Sequence, residues 1–209
     1  MAAFCSFPQV MGHEVVAEVV ELGPQARGLD VGQRVVLNPW LSCGPRGIEP
    51  RCPACAGGDY GRCWSFADGD IQPGIHTGVS ADGTGGYAEL MPAHDSMLFA
   101  VPDAVPDEAA VFADPFSVSL HAITRHPPPR SGRALVYGAG SLGLCALVIV
   151  RELYPDVAVA VVARFPAQAE LAQRFGVAKV LAHEPRWPSS RNWWPGAAAG
   201  CASRCWDCR

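Results

Sequence analysis

Between Ala134 and Ala182 short apolar runs alternate with helical patterns, and the first joint between them is Gly138-Ala139-Gly140-Ser141-Leu142-Gly143. Ala134 to Tyr137 reads as a strand, Ser141 to Leu153 as a helix and Val157 to Ala163 as a continuous apolar strand. Ala167 to Phe175 again has helical spacing, and Ala178 to Ala182 is strand-like. Strands that are apolar throughout are covered on both faces, so this βαβαβ order predicts a doubly wound parallel sheet. The G-x-G-x-x-G follows a strand and opens a helix. There the first glycine allows a tight turn, the second lets backbone approach a pyrophosphate, and the third lets helix pack on strand, with free N–H groups at the helix start facing the phosphates. Gly138, Gly140, Ser141, Leu142 and Gly143 are the candidate dinucleotide-binding residues. At the end of the second strand a carboxylate commonly holds the ribose hydroxyls; here Ala163 and Arg164 stand instead. A guanidinium grips a phosphate through two parallel hydrogen bonds, so Arg164 favours NADP over NAD, the other reading being a solvated arginine after a strand.

A second constraint comes from cysteine. Of nine in the chain, four fall between Cys43 and Cys63, and Cys52-Pro53-Ala54-Cys55 with Cys63 gives C-x2-C-x7-C. The segment from Asn38 to Gly83 is rich in Gly, Pro and Cys and has little periodicity. Such a loop needs more than a core to order it, and four thiolates around a structural Zn²⁺ would supply that, with Cys43, Cys52, Cys55 and Cys63 as ligands. The chain is expected to be cytoplasmic, and because a reducing compartment keeps thiols free, thiolate ligation of a metal is expected before disulfides. Acidic residues exceed basic ones by 20 to 16, and no Lys/Arg cluster lies along a face. Nucleic acid and anionic membrane are therefore poor partners, and a small molecule is the expected one. The longest apolar run, Leu142 to Val150, is about half of the ~20 residues a spanning helix needs, and Met1 to Gln9 lacks the basic start of a secretion signal.

Elsewhere the pattern is of short strands. Glu14 to Leu37 holds two Val-rich runs separated by turn residues, and Gly85 to Val101 returns to strand-like text, which predicts a small antiparallel β unit closing near Pro102. Asp107 opens a helical pattern; Pro115 divides it into two helices, with Asp114 as N-cap and Pro115 in the first position of the second. His13-Glu14 precedes the first strand, and a lone histidine is more often packed than ligating.

Taken in order, GHEVVAEVVELG, the cysteine lobe, GGYAEL, the DPFSVSLHA helix and YGAGSLG resemble the zinc-dependent medium-chain dehydrogenases, the alcohol dehydrogenase-like family, over about Phe7 to His183. The resemblance implies a chaperonin-10-like β domain (residues 1–102) followed by linking helices and a partial Rossmann domain (103–183), with substrate in the cleft between them. It implies that His13 is a ligand of a catalytic zinc, that Glu14 coordinates directly or through a neighbour, and that Asp114 stands where members place a cysteine or glutamate facing the same metal. Cys52, Cys55 and Cys63 match three structural ligands, but the first would fall at Glu49, so either Cys43 reaches in through a longer loop or something else substitutes. The implied chemistry is hydride transfer between an alcohol or aldehyde and NAD or NADP, with zinc as Lewis acid. Homo-oligomers are possible in the family.

Two departures accompany this. Only twelve residues precede His13, so the opening β strands and one cysteine ligand of the catalytic zinc are expected to be missing; Cys5 lies too close to replace it. After Pro185 the composition changes abruptly, with three Trp in a short stretch and a Cys-rich end. The tail, 184–209, reads as out of frame: tryptophan has one codon, and reading one base earlier forces Ala from Trp187-Pro188 and Val from Trp193-Trp194, restoring a helical pattern. A C-terminal peptide matching Arg209 in the cell would end that proposal. Cys205 and Cys208 are then given no role, and the alternative to an active enzyme is an inactive zinc- and nucleotide-binding fragment of low stability.

Overall fold

The computed structural model describes residues 4–182; the reading of the tail lies outside the described residues. The chain divides into two compact units, Met1–Val118 and Ser119–Arg209.

In the first unit three short strands form an antiparallel sheet in the order β1 (Val16–Glu18), β2 (Arg34–Leu37), β3 (Leu98–Ala100). Val16 pairs with Val36, and Val36 with Phe99. Alternation along β2 sends Val35 and Leu37 inward, where Leu37 packs with Leu41 and Met97, as a half-buried antiparallel strand requires. Residues 38–83 are largely irregular, with one helical turn, α1 (Pro53–Ala56), and a 3-10 turn at Tyr60–Arg62. The strand-like stretch expected over 85–101 forms a ladder only at β3. Residues 85–87 do run beside residues 10–12, through Gly85 N–H to Val10 O (2.7 Å), Gly86 N–H to Gly12 O (2.9 Å) and Tyr87 N–H to Met11 O (3.0 Å). Glycines in both segments allow this close approach without building a regular strand.

Two helices follow as expected, but with a different break. α2 is Asp107–Ala110 and α3 is Ala113–Arg125. Asp114 is thus inside the first turn of α3 rather than its cap. Pro115 is tolerated there because first-turn N–H groups have no carbonyl partner within the helix, and Phe116 N–H resumes the bonding to Phe112 O at 2.8 Å.

The second unit is a parallel sheet in the order β4 (Gly132–Tyr137), β5 (Val157–Ala163), β6 (Lys179–Ala182). α4 (Ser141–Leu153) and α5 (Pro166–Arg174) make the crossovers. β5, central among the three, buries Val157, Val159 and Val161, on which Leu147 and Val150 of α4 and Ala172 of α5 pack. This is the core that the continuous apolar run from Val157 to Ala163 encodes; each such side chain removed from water contributes about 1.5–3 kcal/mol. No helix of the described residues is long and apolar enough to cross a membrane.

Candidate metal centres and dinucleotide turn

The cysteine lobe is organised by a short helix and its flanks. Pro53 begins α1, Cys52 is its N-cap residue and Cys55 lies one turn on, so C-x2-C places two sulfurs on one side of a turn. Cys63 follows the 3-10 turn, and Cys43 enters from the preceding loop. The four Sγ atoms all lie within 4.8 Å of one another. A zinc ion at about 2.3 Å from each of four sulfurs sets tetrahedral edges of about 3.8 Å, and Cys43 Sγ to Cys63 Sγ is 3.7 Å. Backbone N–H groups of Cys52 and Ser65 donate to Cys43 Sγ and Cys63 Sγ, both at 3.4 Å, as they would to thiolates. The residues therefore fit a closed, four-thiolate ion. Glu49, where the family pattern would set a ligand, instead faces solvent and pairs with Arg51 at 3.3 Å.

Protonation in the lobe is divided. The N–H groups of Trp64 and Cys55 hold the Cys52 thiol down at about 6, whereas burial pushes Cys55 up and Cys63 up to about 12. A bound cation would override that burial cost, because coordination deprotonates thiols outright.

Sequence reasoning missed Arg46. It is fully buried, and its guanidinium donates to the carbonyls of Leu41 (2.8 Å), Asp68 (2.8 Å), Ile71 (3.0 Å), Gln72 (3.2 Å) and Gly74 (2.7 Å). Burial lowers its pKa, while the charges of Cys63, Asp68 and Cys43 oppose that shift. A buried cation beside a four-thiolate site, whose zinc complex carries net negative charge, is electrostatically complementary. Nothing in the string Cys43-Gly44-Pro45-Arg46 sets this arginine apart from a surface one.

A second cluster joins His13, Glu14 and Asp114, whose ligand atoms also lie within 4.8 Å of one another. The bonds between residues 10–12 and 85–87 deliver His13 and Glu14 just ahead of β1. Gly12, at φ 101°, is required there: a Cβ would strike the Tyr87 ring at 2.9 Å. Asp114 comes from the first turn of α3. His13 Nε2 is 3.6 Å from Asp114 Oδ2, near the roughly 3.4 Å between nitrogen and oxygen ligands of one tetrahedral zinc. Burial raises the Asp114 pKa; His13 opposes that, Glu14 adds to it and His76 opposes it. His13 and Asp114 are partly buried and Glu14 is exposed. The donor set, one imidazole and two carboxylates, suits Zn²⁺ with a position left open, and it contains no thiolate among the described residues.

In the second unit the glycine turn sits at the C-terminal end of β4. Gly138 has φ 111°, and a Cβ on Gly143 would overlap the carbonyl oxygen of Gly138, so α4 can pack this close only with glycine there. Gly140 is the N-cap of α4 and brings no side-chain cap, leaving the first N–H groups of Ser141, Leu142 and Gly143 to an external acceptor. Ser119 Oγ donates to Leu142 O at 3.0 Å, fixing the opening turn. Tyr137 is in register with Val162, so Arg164 emerges at the same edge of the sheet as Gly138. Its guanidinium lies 5.2 Å from the Phe165 ring centre. Gln168 Oε1 accepts the N–H groups of Arg164 (3.2 Å) and Phe165 (3.3 Å). Crevices at the C-terminal ends of parallel strands are where such sheets bind ligands.

Comparison with known proteins gives the same family from independent directions. The alcohol dehydrogenase GroES-like domain matches residues 2–103. The starvation-sensing protein RspB of Escherichia coli is 30% identical over 173 residues, 83% of this chain and 46% of RspB. L-galactonate-5-dehydrogenase of Escherichia coli is 32% identical over 157 residues, 75% of this chain and 41% of that enzyme. A crystal structure of RspB from Escherichia coli, complexed with NADH, matches with a TM-score of 0.70 at 25% identity, covering 86% of this chain and 48% of RspB. The chain spans just under half the length of the curated relatives it matches. With a GroES-like β unit, a parallel nucleotide-type sheet and these relatives, the chain belongs to the zinc-type, alcohol dehydrogenase-like family of dehydrogenases.

Proposed function

We propose that the chain carries the metal site and the coenzyme turn of a zinc-dependent, NAD(P)-linked oxidoreductase acting on a small alcohol or aldehyde. The observation that carries this reading is the meeting of His13, Glu14 and Asp114 from two distant segments of sequence at ligand-like separations. When bound, zinc supplies Lewis-acid polarisation of an alcohol or carbonyl oxygen, and the nicotinamide coenzyme supplies the hydride acceptor or donor. His13 and Asp114 would hold the metal, with Glu14 as an exposed and exchangeable third ligand. Gly138, Gly140, Ser141, Leu142 and Gly143 would seat the pyrophosphate, and Arg164 would favour the 2′-phosphate of NADP. Cys43, Cys52, Cys55 and Cys63 would hold a structural zinc with no open position, a role suited to the reducing cytoplasm.

The test is turnover by zinc-loaded protein with NAD and with NADP over a panel of alcohols, polyols and aldehydes, alongside Asp114→Ala. The reading expects coenzyme-dependent oxidation, with kcat/KM falling by at least about 100-fold in Asp114→Ala, more than outer-shell changes cause. Activity indifferent to Asp114 contradicts it. A second reading, an inactive zinc- and nucleotide-binding chain, is favoured by a His13 cluster that holds no thiolate among the described residues. It expects dinucleotide binding and zinc in the cysteine lobe without turnover.

A further inference from the structure

We propose that His76 is a protein ligand of the metal held by His13 and Asp114, making a two-imidazole, one-carboxylate site in which Glu14 gives way. This rests on the metal-site reading above and adds to it a residue outside the set that the family resemblance implies. The His76 ring centre lies 4.6 Å from that of His13, with the planes tilted by 51°. Two imidazoles on one tetrahedral ion have ring centres about 5 Å apart. His76 Nδ1 is 2.8 Å from the carbonyl oxygen of Thr77. A carbonyl can only accept, so Nδ1 carries the proton and Nε2 presents its lone pair. That is the tautomer metal-bound histidines adopt when a carbonyl fixes the far nitrogen.

The ring is also held in place before any metal arrives. Residue 76 bridges antiparallel to Trp40, and Thr77, buried, returns both its N–H (2.8 Å) and its Oγ1 (3.3 Å) to Pro39 O. The Trp40 indole meets the imidazole in a T-shaped contact, with ring centres 6.4 Å apart. Glu14, by contrast, is exposed and loses more side-chain freedom on binding. Two neutral imidazoles and one carboxylate leave a dication with net positive charge, better suited to stabilising negative charge developing on a substrate oxygen than the neutral pairing with two carboxylates.

The experiment loads the chain with cadmium-113 and reads one-bond cadmium coupling to histidine Nε2 in nitrogen-15 spectra, which requires no turnover. Two split histidine signals are expected, one lost in His13→Gln and the other in His76→Gln, with His94→Gln losing neither. Affinity of this site for zinc, by chelator competition, should fall about 100-fold in His76→Gln and less in Glu14→Gln. A single split signal, lost in His13→Gln, overturns the role of His76 and leaves the metal site standing. No split histidine while the four-sulfur cadmium signal is present overturns both.

Discussion

Asp114, proposed above as a metal ligand, works against the fold that carries it. Burial raises its pKa above 3.8, so the ionised carboxylate destabilises the metal-free protein at neutral pH and the protonated one does not. Asp114→Asn should therefore raise the Tm of metal-free protein at pH 7. The gain shrinks as pH falls through the raised pKa and is absent below 3.8; a Tm difference constant with pH contradicts this. The same variant should bind zinc at that cluster about 100-fold more weakly. Arg46 makes the opposite case. Replacing it with Met orphans five buried or part-buried carbonyl bonds, and should cost more than about 3 kcal/mol by chemical denaturation while loosening zinc in the cysteine lobe. At this scale the sequence was legible where chemistry is written in spacing. Cys52, Cys55 and Cys63 announce themselves through C-x2-C-x7-C, and the structure joins Cys43 to them. Arg46 is set largely by carbonyls of Asp68 to Gly74 and His76 by its bridge to Trp40 and its contact with His13, partners distant in sequence that no local pattern records.

Among the elements, those made by burial were read most closely. α4 and β5 begin and end at the residues expected, because a fully apolar strand and an amphipathic helix leave few alternative boundaries. The start of α3 was misread because a proline can occupy any first-turn position, so Pro115 limits where the helix begins without fixing it. The strand-like stretch expected over 85–101 is realised only at β3 for a different reason: Gly85 and Gly86 allow backbone pairing with residues 10–12 without a ladder. At Gly143, α4 meets the carbonyl of Gly138 with no room for a Cβ. Gly143→Ala should cost about 1–3 kcal/mol through overpacking and also weaken NADPH binding, followed by fluorescence titration. Leu147→Ala, in the fully buried core of the same helix, should cost about 2–5 kcal/mol and leave the affinity of the folded protein for NADPH unchanged. Equal losses of affinity in both would mean that the turn has no special part in binding.

For the whole molecule, family membership rests on motifs spread through both units, while activity and substrate rest on a chain spanning just under half of its relatives' length. What the described residues carry is a pair of donor clusters of contrasting chemistry, each able to hold a metal ion, four sulfurs in one and nitrogen with oxygen in the other, both within the first unit. The most direct test of that account is the zinc content of the purified protein after exhaustive dialysis, measured for the parent chain, Cys55→Ser and Asp114→Ala. Two zinc ions per chain are predicted, falling to one in each variant, with thiolate charge-transfer bands of the cobalt-substituted protein lost only in Cys55→Ser. A parent chain that retains one ion or none, or an Asp114→Ala variant that retains two, contradicts it.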